Sequence, residues 1–218
     1  ISEKEASDIL TNLSEIENEF DFENLEYDSN FEDLFFLVEK TLINKIGIDT
    51  AGKLHTGRSR NDMEHTMFRI KLREKIISTI KDYFILCDIL LERSEKGLSE
   101  IVLLNTHGQP AQVSTLAHFL SAVIEFSLRD ISRLLQSLNL VNLSPMGSAA
   151  ITTTGFPLSR ERMAELLGFE GIVKNSYGAI AGCDYITTAY SSLKISSINL
   201  GRFVQELITW TGFEVSQI

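Results

Sequence analysis

The sequence predicts an all-α protein built on long rods, and three observations lead there. Prolines occur only at Pro110, Pro145 and Pro157, so long stretches lack a strong helix breaker. Apolar residues between them recur at spacings of three, four and seven. No run of alternating residues reads as a convincing strand, and no internal repeat is evident.

Each element follows in order. Residues 3–19 predict a short acidic helix, and Asp21 to Asn30 a polar connection. Phe31 to Ile46 predicts a second helix, with Leu34, Leu37, Val38 and Leu42 on one side. The segment Gly52–Asp62 is read as a loop. From Asp62 to Gly97 the pattern is helical, with Met63, Met67, Ile70, Ile77, Ile80, Phe84, Cys87 and Leu91 forming the stripe. At ~1.5 Å per residue this helix runs to roughly 50 Å, longer than a small domain is wide, which points to a rod packed against other chains. Asn105 to Gln112 is read as a second polar loop. Val113 to Leu140 predicts another long helix, striped by Leu116, Leu120, Val123, Ile124, Leu128, Ile131, Leu135 and Leu138. Asn142 to Gly155 is rich in small and hydroxyl residues. Ser159 reads as an N-cap, with Leu158 and Met163 placed for a hydrophobic staple and Gly168 closing a short helix. Asp184 to Thr211 predicts a third long helix.

Composition narrows the function. The chain has 218 residues, a net charge of −10 and 44% hydrophobic residues, enough for one large domain or two small ones. Thirteen acids and two lysines fall in residues 1–40, while the remainder is nearly neutral. This acidity reads as a solvated face. No basic tract suggests nucleic-acid binding, and no apolar run reaches membrane-spanning length. Cys87 and Cys183 stand far apart in no metal or redox spacing, which fits a reducing cytoplasm. The four histidines suggest no metal site. The first residue is Ile1 rather than Met, and the chain reads as a piece of a longer protein.

Gly52-Lys53-Leu54-His55-Thr56-Gly57-Arg58-Ser59-Arg60-Asn61-Asp62 is the most informative stretch. Its cations, hydroxyls and carboxamide suit wrapping a small anion, and almost nothing in it favours burial. One reading is a phosphate loop: Gly52-x-x-x-x-Gly57-Arg58-Ser59 differs from that pattern by Arg for Lys, and Phe84-Ile85-Leu86-Cys87-Asp88 imitates the acidic strand that accompanies it. Such a loop must sit between a strand and a helix, whereas the surrounding periodicity is helical.

The other reading is a resemblance. Lys53–Asp62 resembles the first signature of argininosuccinate lyase, in the fumarase/aspartase superfamily. Thr106-His107, followed by Gln109, Ala111 and Gln112, resembles the second signature. Asn142–Ala150 resembles the Asn-Val-Ser-Pro-Leu-Gly-Ser-Gly-Ala stretch of that family, and Lys174-Asn175-Ser176 with Asp184-Tyr185 resembles a further helix entry. The similarity runs from about Ile1 to Gly212.

The resemblance implies an all-α long-helix bundle of the fumarase/aspartase type with a small N-terminal helical part. It divides the chain into a partial N-terminal domain at 1–61 and a partial central bundle at 62–218. It implies a carbon–nitrogen lyase that releases fumarate from an N-substituted aspartate, argininosuccinate being the first candidate, without cofactor or metal. Four subunits would pool their long helices, and each active site would take motifs from three chains. Removing a proton beside a carboxylate loads that carboxylate with further charge, so the site needs oriented donors, a base and an acid for the leaving group. The family assigns substrate binding to Asn61 and Thr106 and acid–base work to His107. Ser59, Arg60 and Gln112 join the substrate-binding set, and the helix start near Ser59 suits a carboxylate. His55 either takes part or braces the loop. His65 and His118 read as packing or surface residues.

The resemblance also has gaps. Gly108, Pro110 and Val113 replace the second signature's usual leucine, arginine and proline. Gly178 and Cys183 stand where the family has aspartate and arginine, and a cysteine cannot stand in for an arginine as an anion contact. The flexible loop that carries the catalytic serine is not in these residues, although Gly212–Ser216 resembles its lead-in, so these residues alone are expected to be inactive. A different aspartate adduct as substrate, and a crystallin-like structural relative without activity, stay open as alternatives.

Overall fold

The computed structural model describes residues 1–26 and 28–217, and its helices divide between two compact units. The first unit comprises Ile1–Ser59 with Thr154–Leu158. Its first helix, α1 (Glu3–Glu19), starts at a capping box in which Ser2 and Glu5 satisfy each other's backbone N–H groups. Lys53 pairs with Glu5. That contact, followed by the Ser2 hydrogen bonds, draws the Glu5 carboxyl down to about 2. Helix α2 (Leu34–Ile46) begins three residues later than the periodicity suggests, because the Asp33 carboxylate accepts the Phe36 N–H at 3.1 Å and fixes the start there. A short helix α3 (Ile48–Ala51) and a 3-10 turn (Gly52–His55) follow. Ile9 and Ile16 of α1, Leu42 of α2 and Ala51 of α3 form the core of this unit.

The second unit is Arg60–Thr153 with Ser159 onward. Helix α4 (Arg60–Lys96) has 37 residues, about 55 Å at ~1.5 Å each. It leads into a hairpin of β1 (Ile101–Thr106) and β2 (Gln109–Thr115). Helix α5 (Leu116–Val141) runs back along α4, and α8 (Asp184–Trp210) packs on α5. Between them lie β3 (Leu143–Ser144), α6 (Arg160–Leu166), β4 (Gly171–Ile172), which pairs in parallel with β3, and α7 (Ser176–Ala181). The all-α class holds, with these four short strands as additions. The Ser159 cap is present, and Gly168, at φ 69, closes α6.

Two expectations are corrected. Asn105–Gln112 is not a polar loop. Thr106 pairs with Gln109, leaving His107 and Gly108 as a two-residue turn, both at positive φ (52° and 69°), as tight hairpin turns demand. Residues 113–115 therefore belong to β2, and α5 begins at Leu116 behind its Thr115 cap.

The second correction concerns the stripe on α4. Ile76, Ile80, Tyr83, Cys87 and Leu90 are the buried set, at heptad-like spacing. Of the predicted stripe, Met67, Ile77, Phe84 and Leu91 are exposed instead. Helix α4 thus carries two apolar faces, one packed on α5 and one uncovered in this single chain. Helix α8 likewise leaves Tyr190, Ile195, Ile198, Val204 and Ile208 exposed.

Inside the bundle, Ile131, Leu134 and Val141 of α5 meet Tyr185 and Ala189 of α8 and the buried face of α4. Trp210, fully buried, packs on Phe119 with ring centroids 4.6 Å apart and closes the hairpin end. The fully buried Asp130 carboxylate accepts from Arg133 at 2.7 Å and from Asn199 at 2.9 and 3.1 Å, tying α5 to α8. No helix among the described residues is long and apolar enough to cross a membrane.

Candidate active site

The first motif straddles the boundary between the two units. Within the first unit, Thr56 N–H donates to Lys53 and Arg58 N–H to His55, and Gly57 turns at φ 70. A side chain at Gly57 would collide with Leu158. The His55 ring lies 4.9 Å from that of Phe35, and its Nδ1 is buried with no hydrogen-bond partner among the described residues. Ser59 ends the unit, half-buried.

Within the second unit, Arg60 and Asn61 open α4. The Asn61 carboxamide donates to Ala150 O at 3.1 Å. Asp62, fully buried, accepts from the Gly147 and Ala149 N–H groups, each at 2.9 Å from Oδ2. Arg160 grips the same turn from α6. Its guanidinium donates to Met146 O at 3.3 Å, Ser148 Oγ at 3.0 Å, Val173 O at 2.8 Å and Lys174 O at 3.2 Å. Ser144 and Ser148 are both fully buried, and their hydroxyls serve this turn. The 147–150 turn is therefore docked on the start of α4. Asn175 caps α7 by accepting the Gly178 N–H at 2.9 Å, which gives Gly178 a backbone role. Cys183 is exposed at the start of α8.

Two turns along α4 from Asp62, Arg69 is 3% exposed. It donates to Leu140 O at 2.7 Å and lies 3.6 Å from the centre of the Tyr185 ring. Burial lowers the pKa of Arg69 and raises that of the Tyr185 hydroxyl. The Tyr185 hydroxyl meets His65 Nδ1 at 2.9 Å. Burial, and then the charge of Arg69, hold His65 below its ordinary value.

Thr106, His107 and Gln112 occupy the opposite end of the rod. All three are exposed, Thr106 closing β1, His107 in the turn and Gln112 on β2 opposite Leu104. Helix α4 separates this hairpin from Arg60 and Asn61, so one chain does not bring the two groups together. Beside the hairpin a cavity of about 310 Å³ is lined by Leu104, Asn105, Phe119, Arg202, Phe203 and Glu206. Among the described residues, no group of three or more His, Cys, Asp or Glu side chains is placed to hold a metal ion.

The phosphate-loop reading is overturned. Gly52–His55 is a 3-10 turn that follows a helix, and Phe84–Asp88 lies in the interior of α4, so neither the strand nor the acidic strand end exists. The sequence reading also missed Asp62 and Arg160, which build the motif's support. No local signal marked this support, because the Gly147 and Ala149 N–H groups that Asp62 accepts lie far along the chain and carry no side-chain signature.

With the geometry described, comparison with known proteins is informative. The family model described as Lyase matches residues 1–216. The chain is 46% identical over 213 residues to argininosuccinate lyase 2 of Agrobacterium fabrum, covering 98% of this chain and 42% of that protein. It is 38% identical over 218 residues to argininosuccinate lyase of Methanocaldococcus jannaschii, covering 100% of this chain and 45% of that protein. Among solved structures, EDDS lyase in complex with formate superposes with a TM-score of 0.92 at 29% identity, covering 99% of this chain and 42% of that one. A Brucella melitensis protein described as fumarate lyase:delta crystallin shares the fold alone, at 18% identity and a TM-score of 0.75. The chain spans less than half the length of the curated relatives it matches. With the family model matching nearly its whole length, the chain belongs to the lyase family.

Proposed function

We propose that this chain is part of a carbon–nitrogen lyase that eliminates the amine from an N-substituted aspartate, argininosuccinate first, and releases fumarate. The observation that carries this reading is the placement of the motifs. A cluster of carboxylate-binding residue types opens a rod of 37 residues, and the acid–base candidate sits on a turn at its other end. Neither cluster alone has the parts for elimination. The argininosuccinate lyase relatives and a double variant of EDDS lyase with bound fumarate support the substrate class.

In this reading Ser59, Arg60, Asn61, Thr106 and Gln112 bind the substrate's carboxylates. His107 handles the proton that accompanies the departing amine. As the proton beside the carboxylate leaves, charge grows on the carboxylate oxygens, and donors fixed in advance stabilise it most. The Cα–N bond then breaks, its electron pair leaves with the amine nitrogen, and the double bond of fumarate remains. No cofactor or metal enters these steps. Cys183 and Gly178 depart from the arginine and aspartate that the resemblance implies, which keeps other aspartate adducts as a second reading.

The uncovered apolar faces of α4 and α8 support a homotetramer in which rods from different subunits bring Asn61 of one chain to His107 of another. A partial N-terminal domain at 1–61, a partial bundle at 62–218 and a cytoplasmic setting complete the proposal. The test is co-assembly. Full-length Asn61→Ala and His107→Ala proteins are each expected to be nearly inactive on argininosuccinate. Mixed tetramers of the two should regain part of the fumarate release, because some shared sites then contain neither substitution. Full activity in either single variant, or no recovery in confirmed mixed tetramers, would overturn the shared site.

A further inference from the structure

We propose that Asp62 is a positioning residue. Its carboxylate fills a backbone nest in the 147–149 turn and thereby holds Asn61 in a single geometry for the substrate. The inference rests on the function proposed above.

An acid at the third position of a helix ordinarily serves its own helix end. Here one oxygen, Oδ2, accepts the Gly147 and Ala149 N–H groups of a distant segment, both at 2.9 Å. Both donors have positive φ, 83° and 52°, the conformation in which neighbouring N–H groups converge on an anion. A nest of this kind can bind a ligand's carboxylate. This one is occupied by the chain's own, and Asp62 is fully buried. The Asn142–Ala150 stretch thus acts as a mount for the first motif.

Two further contacts make the mount rigid. Arg160 holds the turn through Met146 O, Ser148 Oγ, Val173 O and Lys174 O. Asn61, next to Asp62, donates to Ala150 O at 3.1 Å. Loosening the turn therefore moves the partner of a substrate-binding side chain. Charge-assisted bonds of this type are about twice as strong as neutral ones, and removing the acceptor leaves the buried Gly147 N–H without a partner.

The test uses the full-length tetramer with argininosuccinate, and hydrogen exchange of the peptide spanning residues 146–150 as a second readout. Asp62→Ala should lower kcat by about 30-fold or more with KM changed less than about threefold, because displaced donors matter most in the transition state. The peptide should exchange faster. Asp62→Asn should keep kcat within about fivefold, since a single amide oxygen can accept both N–H groups. Asp62→Glu keeps the charge and displaces the oxygen by one methylene, and should lose about tenfold in kcat. This variant decides the matter where Asp62→Ala fails to assemble. Wild-type kcat in assembled Asp62→Ala or Asp62→Glu would overturn the proposal, as would an Asp62→Asn loss equal to that of Asp62→Ala. A wild-type protein that releases no fumarate while its 146–150 amides are protected by Asp62 would count against the functional reading and leave the mount standing.

Discussion

His65 Nδ1 lies 2.9 Å from the Tyr185 hydroxyl, joining the first long helix of the bundle to the last. Burial and the neighbouring Arg69 cation keep His65 below its ordinary value, opposed only by Glu64. The unfolded chain therefore binds the proton more readily. Stability from this pair is complete above the unfolded value of about 6.5 and falls as pH drops through it, levelling off at the lower folded value. Melting temperature should decline between about pH 7.5 and pH 5.5, and His65→Gln should flatten that part of the profile. An unchanged slope in the variant would show that other groups set it.

His107 is exposed on a two-residue turn, so the proposed acid–base role can be separated from the proposed assembly. His107→Ala in the full-length protein should lower turnover by about 100-fold or more, while size-exclusion chromatography reports an unaltered tetramer. Activity within a few-fold of wild type would remove His107 from the acid–base role.

Two glycines at positive φ should respond differently to alanine. Nothing lies within 4 Å of a Cβ placed at Gly108, so Gly108→Ala should cost only the backbone penalty, about 1 kcal/mol in denaturant unfolding. A Cβ at Gly147 would meet Met163 Cε at 2.7 Å and Arg160 Cγ at 2.8 Å. Gly147→Ala should add overpacking and cost about 2–4 kcal/mol. Equal losses would mean that the Met163 and Arg160 side chains move aside freely.

The long helices were legible because their apolar residues repeat at helical spacing over many turns, as in α5 and α8. The hairpin was not. Ile101–Leu104 is a short apolar run that periodicity cannot separate from a helix end, and β2 is mostly exposed and carries Pro110. Its one local sign was His107-Gly108, a pair able to take positive φ. The exposed stripe on α4 was legible as apolar, yet a sequence does not say which of two apolar faces meets its own chain. The residues of the first motif were legible as anion-binding types. The buried role of Asp62 was not, because its partners lie some eighty-five positions away and are backbone N–H groups, which carry no side-chain signature.

Helix α4 also works as a ruler. One inserted residue would advance its far end by about 1.5 Å and swing it by about 100°, turning the hairpin toward a different neighbour while the docked turn at the near end stayed put. Helix α5 returns along the same path, so any change in the length of one must be matched in the other. Variation among relatives should therefore collect in the loops and spare the span of this helix pair, and an unmatched insertion there should separate the two halves of the proposed site without unfolding either.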